Sequence, residues 1–358
     1  MLKQISVHNF KALKNLDNVS LNKITLIGGK NNSGKSTLLE ALFAYMDVKN
    51  PNMCFQIKNF REPKDILFVQ PDPNFIWAPV FHKFNLEKKI NLKIIDTQNN
   101  ITNVEIIYND KFIPKHPIPV MNGNIPTPTI ATTDGFKALT VSCKRNQKLD
   151  FFAHTIIHAG GFIFISECDK QQPLPSAQMV TSTTLHINNI PTLLGKLDKN
   201  DEQNKILEPL RLFEPNLQRF QLIKENQQDV IYVDLGNKQK MPVNLLGSGF
   251  CRFLSIALLI TTGNVNVILI DEIENGIHHS LLCKFWTFLI EVSQSNNCQI
   301  IATTHSYEMI KAFSETAQQN SFDDIGYIRL ALNDNGVTAY QFNNTDISSS
   351  LSSEFEVR

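Results

Sequence analysis

A glycine-rich segment near the N-terminus constrains the fold of this chain more than any other part of its sequence. Residues 29–36 read G-K-N-N-S-G-K-S, which fits the phosphate-loop pattern G-x-x-x-x-G-K-[ST]. Residues 25–29 before it are typical of a short buried strand, and an apolar helix is predicted from Lys35 to about Tyr45. A chance match in a glycine-rich turn is the alternative. The strand before the loop and the helix after it favour a phosphate site.

The residue types of this loop suit a nucleotide that carries magnesium. Glycines let backbone N–H groups turn towards an anion, and the positive end of the helix faces the same point. Lys35 adds a full charge, and Ser36 is expected to bind the accompanying Mg²⁺. We therefore predict ATP and Mg²⁺ as cofactors, held by Gly29, Asn31, Asn32, Ser33, Gly34, Lys35, Ser36 and Thr37.

A second apolar strand ends in two acids. Residues 267–272 read V-I-L-I-D-E. A phosphate-loop ATPase needs a magnesium partner and a group that activates water at such a strand end. We predict that Asp271 binds the metal through its hydration shell and that Glu272 polarises the attacking water. Two acids that merely cap the next helix are the alternative, which the presence of Lys35 and Ser36 in the same chain disfavours.

A third strand end carries a histidine. Residues 299–306 read Q-I-I-A-T-T-H-S, and His305 is predicted to sense the γ-phosphate. A histidine in this place often only caps a helix or binds a carbonyl. The order of the motifs along the chain favours the functional role.

A second glycine pair predicts a dimer. Residues 245–252 read L-L-G-S-G-F-C-R and open an apolar helix, so Gly247, Ser248 and Gly249 form another anion-binding helix end. One chain then has two phosphate-binding ends but only one phosphate-loop lysine. We predict a homodimer or higher homo-oligomer in which this segment of one subunit closes, head to tail, over the nucleotide of the other. A Gly-Ser loop before a buried helix is the alternative.

The order of these motifs resembles the ABC-type ATPases of the DNA-maintenance and defence branch. These include the RecF, SMC and OLD-like proteins, and particularly the stand-alone AAA family ATPases of prokaryotic anti-phage operons. Residues 5–42 and roughly 206–313 carry the resemblance. It implies a two-lobed head that dimerises on ATP, with Glu274 and Asn275 in the loop that crosses the interface. Gln171 and Gln172 are the candidates for the glutamine that couples the lobes in this family.

The chain also departs from the family pattern. Gly247 stands where transporter-type members have serine, and Ser248 stands where close relatives often carry an acid. Ile273 and His279 replace the usual prolines. We therefore expect nucleotide binding with slow hydrolysis.

The predicted fold class is α/β, a two-lobed ABC-type P-loop ATPase head. It combines a parallel sheet flanked by helices with an antiparallel β-rich lobe and an inserted subdomain. Strands are expected at 89–95 and 104–108, joined by a hairpin at Asn99 and Asn100, and residues 114–128 are expected to be mobile. The predicted divisions are an N-terminal ATPase lobe at 1–50, a β-rich or inserted subdomain at 51–187, a C-terminal ATPase lobe at 188–345 and a flexible tail at 346–358.

Composition neither supports nor excludes DNA binding, but it bears on the compartment. Hydrophobic residues make up 42% of the 358, and 34 basic residues balance 34 acidic ones, so no overall positive field indicates nucleic acid. The six cysteines lack C-x-x-C spacing and are predicted to be reduced thiols. No export signal or membrane span is predicted, because polar residues interrupt the apolar stretch 253–270. We therefore expect a cytoplasmic protein without a membrane partner.

Three functions compete. The first is an ATP-gated dimeric switch or scaffold that controls a separately encoded effector in phage defence. The second is an OLD-type nuclease, but residues 273–358 are expected to be used by the His305 strand, a helix and a β-hairpin. His154 and His158 lack the glutamate of an H-E-x-x-H site and are predicted to be structural. The third is a RecF-like DNA-binding ATPase, for which Lys144-Arg145 and residues 238–240 are the tightest basic clusters outside the phosphate loop. A solvated surface is the alternative for both clusters and is favoured for each.

Overall fold

Two large β-sheets, one antiparallel and one mainly parallel, organise the chain. The computed structural model describes residues 1–61, 72–114, 118–122, 125–129, 135–158, 161–166, 173–181, 190–225, 228–237, 239–262, 265–334 and 336–352.

The strands of the described residues are β1 (Leu2–Phe10), β2 (Leu13–Ser20), β3 (Ile24–Gly28), β4 (Ile90–Asp96), β5 (Ile101–Phe112), β6 (Ile118–Asn122), β7 (Ile125–Thr129), β8 (Phe136–Arg145), β9 (Lys148–His158), β10 (Gly161–Ser166), β11 (Ala177–Val180), β12 (Arg219–Glu225), β13 (Gln228–Asp234), β14 (Met241–Pro242), β15 (Val267–Ile270), β16 (Gln299–Thr303), β17 (Ile325–Asn333) and β18 (Gly336–Phe342). The helices are α1 (Lys35–Met46), α2 (Met53–Asn59), α3 (Pro73–Ile76), α4 (Ile190–Lys199), α5 (Asn204–Leu210), α6 (Ser248–Thr261), α7 (Leu282–Ser295), α8 (Tyr307–Gln319) and α9 (Asn344–Ser352). Short 3₁₀ turns occupy Ala78–Val80, His82–Phe84, Val243–Leu246 and His279–Leu281.

The antiparallel sheet has the order β10-β9-β8-β5-β4-β1-β2. The β4–β5 hairpin forms as predicted, since Ile95 pairs with Ile101 across the Asn99-Asn100 turn. Strand β2 lacks the two-residue burial period of a strand. Its buried residues Leu13, Leu16 and Val19 recur every third position, and its register with β1 shifts between the pairs Ile5–Val19 and Val7–Leu16, where β2 has one extra residue.

The predicted domain boundary at residue 50 is crossed by this sheet. Strand β1 pairs directly with β4, which joins the strands of residues 2–20 to those of residues 90–166 in one sheet. The first 50 residues and the β-rich stretch thus share one sheet. The division of the chain into domains stays a prediction.

The second sheet has the order β11-β15-β16-β3-β17-β18 and confirms the predicted parallel sheet. Its first five strands are parallel, and β18 closes the edge as an antiparallel hairpin with β17. Residues 267–270 are all buried because the strand has covering layers on both faces: Ile268 and Ile270 pack with helices α6 to α8, and Val267 and Leu269 face the core that contains α1. Since the strands are parallel, β3, β15 and β16 all end at the same edge.

A buried glutamine joins the two sheets at the opposite edge. Gln299 begins β16 and is fully buried. Its Nε2 donates to the carbonyls of Leu2 at 2.8 Å and Asn22 at 2.9 Å, and its Oε1 accepts from the Leu2 N–H at 2.9 Å. The first strand of one sheet is thus bonded to a central strand of the other.

Two segments that we expected to be flexible contain regular elements. Residues 114–128 include the paired strands β6 and β7. The predicted flexible tail at 346–358 is helical as far as Ser352, because α9 buries Ile347 and is capped where Asn343 Oδ1 accepts from the Asp346 N–H at 2.9 Å. Residues 353–358 lie outside the described part of the chain.

Candidate nucleotide-binding site

The glycine-rich loop joins β3 to α1 in a conformation that requires its glycines. Gly29 has φ 131°, and a Cβ there would lie 2.2 Å from the Leu330 carbonyl oxygen. Gly34 has φ 97° and precedes the first helical residue, Lys35. The first N–H groups of α1 have no acceptor within the helix, so they are free to bind an anion.

The Lys35 ammonium lies inside the loop. Only 5% of Lys35 is exposed, and its Nζ donates to the carbonyls of Gly29 at 2.8 Å and Lys30 at 2.9 Å. Burial lowers the pKa of Lys35, while the nearby carboxylates of Asp271, Glu274 and Glu272 act in the opposite direction. A bound phosphate would supply a further negative charge at this point.

Ser36 and Asp271 meet as predicted. The Ser36 hydroxyl donates to Asp271 Oδ1 at 3.0 Å, although 235 residues separate them in sequence. Thr303 Oγ1 donates to the same carboxylate oxygen at 2.6 Å and accepts from the Glu272 N–H at 2.8 Å. A hydroxyl and a carboxylate side by side are the oxygen ligands that Mg²⁺ prefers, so these residues fit the predicted ion.

Glu272 and His305 lie at the same cleft. Glu272 adopts φ 50°, a left-handed conformation that is uncommon for residues other than glycine. Its Oε2 accepts from Asn275 Nδ2 at 2.6 Å. The His305 N–H donates to Glu274 Oε1 at 2.7 Å, which fixes the backbone of the histidine beside the acidic loop.

The cleft bounded by these groups has a volume of about 660 Å³. It is lined by Ala12, Asn31, Asn32, Ser33, Gly34, Lys35, Ser36, Thr37, Arg61, Glu272 and His305. The predicted loop residues from Asn31 to Thr37 are thus brought together with the predicted base and histidine. Ala12 and Arg61 were not among the predicted site residues.

Arg61 is held by a buried carboxylate. Its Nε lies 2.7 Å from Glu40 Oε1, and Lys11 Nζ lies 2.7 Å from Glu40 Oε2. The Glu40 side chain is 1% exposed. A glutamate inside the apolar helix α1 needs cations beside it, and this was the sequence signal that could have pointed to Lys11 and Arg61.

The segment of Gly247, Ser248 and Gly249 lies at the start of α6 and is not part of the cleft lining. Next to it, Leu245 is 68% exposed. The role predicted for this segment, contact with the nucleotide of a partner, stays a prediction.

Arg252, four residues after Ser248, was missed by the sequence analysis. It is 7% exposed, and its guanidinium donates to the backbone carbonyls of Asp271, Glu272 at 3.0 Å and Thr181 at 3.2 Å. Burial lowers the pKa of Arg252, and Asp271, Glu272 and Glu274 oppose that shift. It therefore attaches α6 to the backbone of the acidic strand end.

Several other predicted features have different outcomes. Gln171, Gln172, Lys238 and Cys168 lie outside the described residues, whereas the other five cysteines are free thiols. His154 is buried, with Nδ1 3.0 Å from Thr140 Oγ1 and its ring against Phe112 and Phe152.

In the part of the chain that the structure describes, no three His, Cys, Asp or Glu side chains cluster as a metal site. None of the described helices has the length and apolar character needed to cross a bilayer.

Comparison with protein families matches two parts of the chain. The AAA ATPase domain family matches residues 171–310, and a family of unknown function, DUF2813, matches residues 1–75. The chain is 26% identical over 343 residues to an ATP/GTP phosphatase of Helicobacter pylori, covering 90% of each protein. An uncharacterized protein of Methanocaldococcus jannaschii is 39% identical over 62 residues, which are 17% of this chain and 28% of that protein.

Among solved structures, the chain resembles an Smc head domain from Pyrococcus furiosus, which has an extended coiled coil and is bound to the C-terminal domain of ScpA. The TM-score is 0.53 at 11% sequence identity, with 99% of both chains covered. Such a likeness establishes the fold, and the sequence similarities are to an AAA ATPase domain family and to an ATP/GTP phosphatase. The chain therefore has the α/β fold of an SMC head, with the parallel and antiparallel sheets of a two-lobed ATPase head.

Proposed function

We propose that this chain is a Mg²⁺-dependent ATPase that binds ATP, hydrolyses it slowly and dimerises head to tail as a nucleotide-gated switch. The observation that carries the proposal is the meeting of Lys35, Ser36, Asp271, Glu272 and His305 at one edge of the parallel sheet. These residues come from two strand ends and one helix start, so their proximity is a product of the fold.

Each group has a chemical task in this proposal. The N–H groups of the loop and Lys35 bind the phosphates, and His305 faces the terminal phosphate. Ser36 and Asp271 would hold Mg²⁺, which neutralises charge on the phosphate oxygens when it is bound. The Glu272 carboxylate orients the attacking water and accepts its proton.

Replacement of Lys35 tests the site. Lys35→Ala should abolish ATP binding, because the loop loses the positive charge that lies inside it, while the melting temperature stays within a few degrees of wild type. Isothermal titration with ATP and with GTP measures binding, since the Helicobacter pylori relative is named for both nucleotides. Lys311→Ala, on the exposed face of α8, is the matched control and should bind normally. Unchanged ATP affinity of Lys35→Ala would refute the site.

The dimer is proposed from the second anion-binding end. Residues 247–248 are exposed and lie beside the exposed Leu245. A Cβ at Gly247 would have no other atom within 4 Å, so the space around this residue is open. An apolar side chain next to free helix N–H groups suits a surface that covers the nucleotide of a second copy. A separately encoded effector, in an anti-phage system, is the proposed target of the switch.

A DNA-binding ATPase of the RecF or OLD-like kind is the second candidate. It is favoured by the β8–β9 hairpin, where Arg145 pairs with Lys148 and the neighbouring Lys144 is exposed. Three adjacent basic residues suit contact with a phosphate backbone. ATP-dependent retention of duplex DNA that is lost in Lys144→Glu would support this function. The purified protein should not degrade plasmid with Mg²⁺ or Mn²⁺, and robust cutting would indicate a nuclease instead.

A further inference from the structure

The Glu272 carboxylate has a dedicated donor in its own loop. Asn275 Nδ2 donates to Glu272 Oε2 at 2.6 Å, and this is a hydrogen bond to a group that carries charge when it acts as a base. Asn275 is exposed and does not line the nucleotide cleft. Its amide therefore bonds the Glu272 carboxylate from outside the cleft and does not occupy the space of the nucleotide.

The loop that carries Asn275 is closed by its own backbone. The Asn275 N–H donates to the Glu272 carbonyl at 3.0 Å, and the Ile277 N–H donates to the Glu274 carbonyl at 3.0 Å. Ile273 is fully buried, and its N–H donates to the Thr303 carbonyl at 2.9 Å. With Glu272 in the left-handed conformation, this turn directs both the base and Asn275 to the same side.

Helix α6 fixes the far end of the loop. A Cβ at Gly249 would lie 1.9 Å from the Gly276 carbonyl oxygen, and a Cβ at Gly276 would lie 2.5 Å from the Gly249 Cα. The two backbones therefore touch without room for a side chain. Arg252, one turn further along α6, donates to the Asp271 and Glu272 carbonyls. The loop is thus held against α6 at both ends.

We propose that Asn275 is a positioning residue that sets the Glu272 carboxylate for water activation, and that the docking of Gly276 on Gly249 sets the position of Asn275. This inference rests on the proposed ATPase function. It also connects contact with the partner's nucleotide to the position of Glu272 in the same subunit, because α6 begins with the segment proposed to make that contact. A movement of α6 would displace Gly276 and Asn275, and through them the Glu272 carboxylate.

Two substitutions at Asn275 separate positioning from packing. Asn275→Ala removes the donor and should lower kcat about tenfold, while KM for ATP stays within about twofold. Asn275→Asp keeps the shape but places a carboxylate against Glu272, so it should lower kcat on the order of a hundredfold. A merely structural role predicts the reverse order, because the isosteric aspartate preserves packing better than alanine.

The control is Asn320→Asp, which makes the same change at the far end of α8, about 20 Å from its start beside His305. It should leave kcat and KM at wild-type values. The proposal is overturned if Asn275→Asp is as active as Asn275→Ala, or if KM rises together with the loss of kcat.

A second experiment tests the contact between Gly276 and Gly249. Gly276→Ala places a Cβ against Gly249 in a backbone with φ 80°, so the loop must move away from α6. We expect the kcat loss of Asn275→Ala with ATP affinity retained, and full activity would overturn the role of the Gly249 contact. If the wild-type protein itself binds ATP but does not hydrolyse it, the proposed function fails. If the wild type hydrolyses ATP and the Asn275 variants have the same kcat as the wild type, only the role of Asn275 is rejected.

Discussion

Buried charges in this chain are compensated by a few identifiable atoms. Lys35 donates to two loop carbonyls, and Arg252 donates to three carbonyls at the ends of β11 and β15. A buried cation without such partners would be costly, since the effective penalty is several kcal/mol per ion. The carboxylates of Asp271 and Glu272 add to this compensation through their charge.

Asp47 is a half-buried acid whose desolvation is only partly compensated. It follows the last residue of α1, and burial raises its pKa to about 6, partly offset by a 3.0 Å hydrogen bond from Asn50. The folded state therefore retains a proton that the unfolded chain releases at its pKa of 3.8. The stability of the fold falls as the pH rises through this interval, and a negative charge at a helix C-terminus adds to the effect.

Asp47→Asn should therefore raise the melting temperature at pH 7.5 and have little effect at pH 4, where Asp47 is protonated in the folded state. Thermal unfolding at the two pH values measures the difference. The exposed Asp323→Asn is the control and should change neither value appreciably. An equal gain at both pH values would show that the charge of Asp47 is not the cause.

At the scale of the elements, α1 is tied to its surroundings by one carboxylate. Glu40 in the middle of the helix bonds Lys11, which follows β1, and Arg61, which follows α2. Burial lowers the pKa of Lys11, and Glu40 opposes that shift. The start of α1 forms the phosphate loop, so this ion pair also stabilises the position of the loop.

Glu40→Gln should lower the free energy of unfolding by about 3 kcal/mol, because it leaves the largely buried Lys11 ammonium without its counter-charge. Urea denaturation measures the change. The double variant Lys11→Met, Glu40→Leu should recover most of the loss, since an apolar pair of similar volume needs no counter-charge. A loss below about 0.5 kcal/mol in Glu40→Gln would indicate that water already screens the pair.

At the scale of the whole molecule, the proposed switch depends on two copies. Glu272→Gln should bind ATP without hydrolysing it and should accumulate as an ATP-bound dimer, because the amide cannot accept the proton of water. Size-exclusion chromatography with light scattering, with and without ATP, measures the mass. Lys35→Ala should stay monomeric under the same conditions. An unchanged elution volume of Glu272→Gln with ATP would contradict the cross-subunit arrangement.

The nucleotide cleft could be predicted because its groups occupy strand ends and a helix start that have clear sequence patterns. Residues 267–272 and 299–305 are apolar runs that end in polar side chains, and parallel strands bring such ends together. No sequence pattern indicated the contacts of Arg252 and Asn275. Arg252 binds backbone carbonyls, which every residue has, and the amide of Asn275 gains its partner only through the left-handed turn at Glu272.

The elements that escaped prediction have weak local patterns. Strand β2 buries every third residue, and α9 is a serine-rich segment whose helix depends on a cap at Asn343 and on burial of Ile347. In both cases tertiary packing determines the structure of a segment whose composition favours a turn or an unstructured tail.

The bonds of Gln299 hold the two sheets together at the end of β16 that lies away from the nucleotide cleft. Separation at this point would break three buried hydrogen bonds, each costing on the order of 1–3 kcal/mol if its partner stays dry. His305 follows the opposite end of β16 from Gln299, about 20 Å further along the chain. Gln299 thereby fixes the first strand of the antiparallel sheet against the strand that leads to His305.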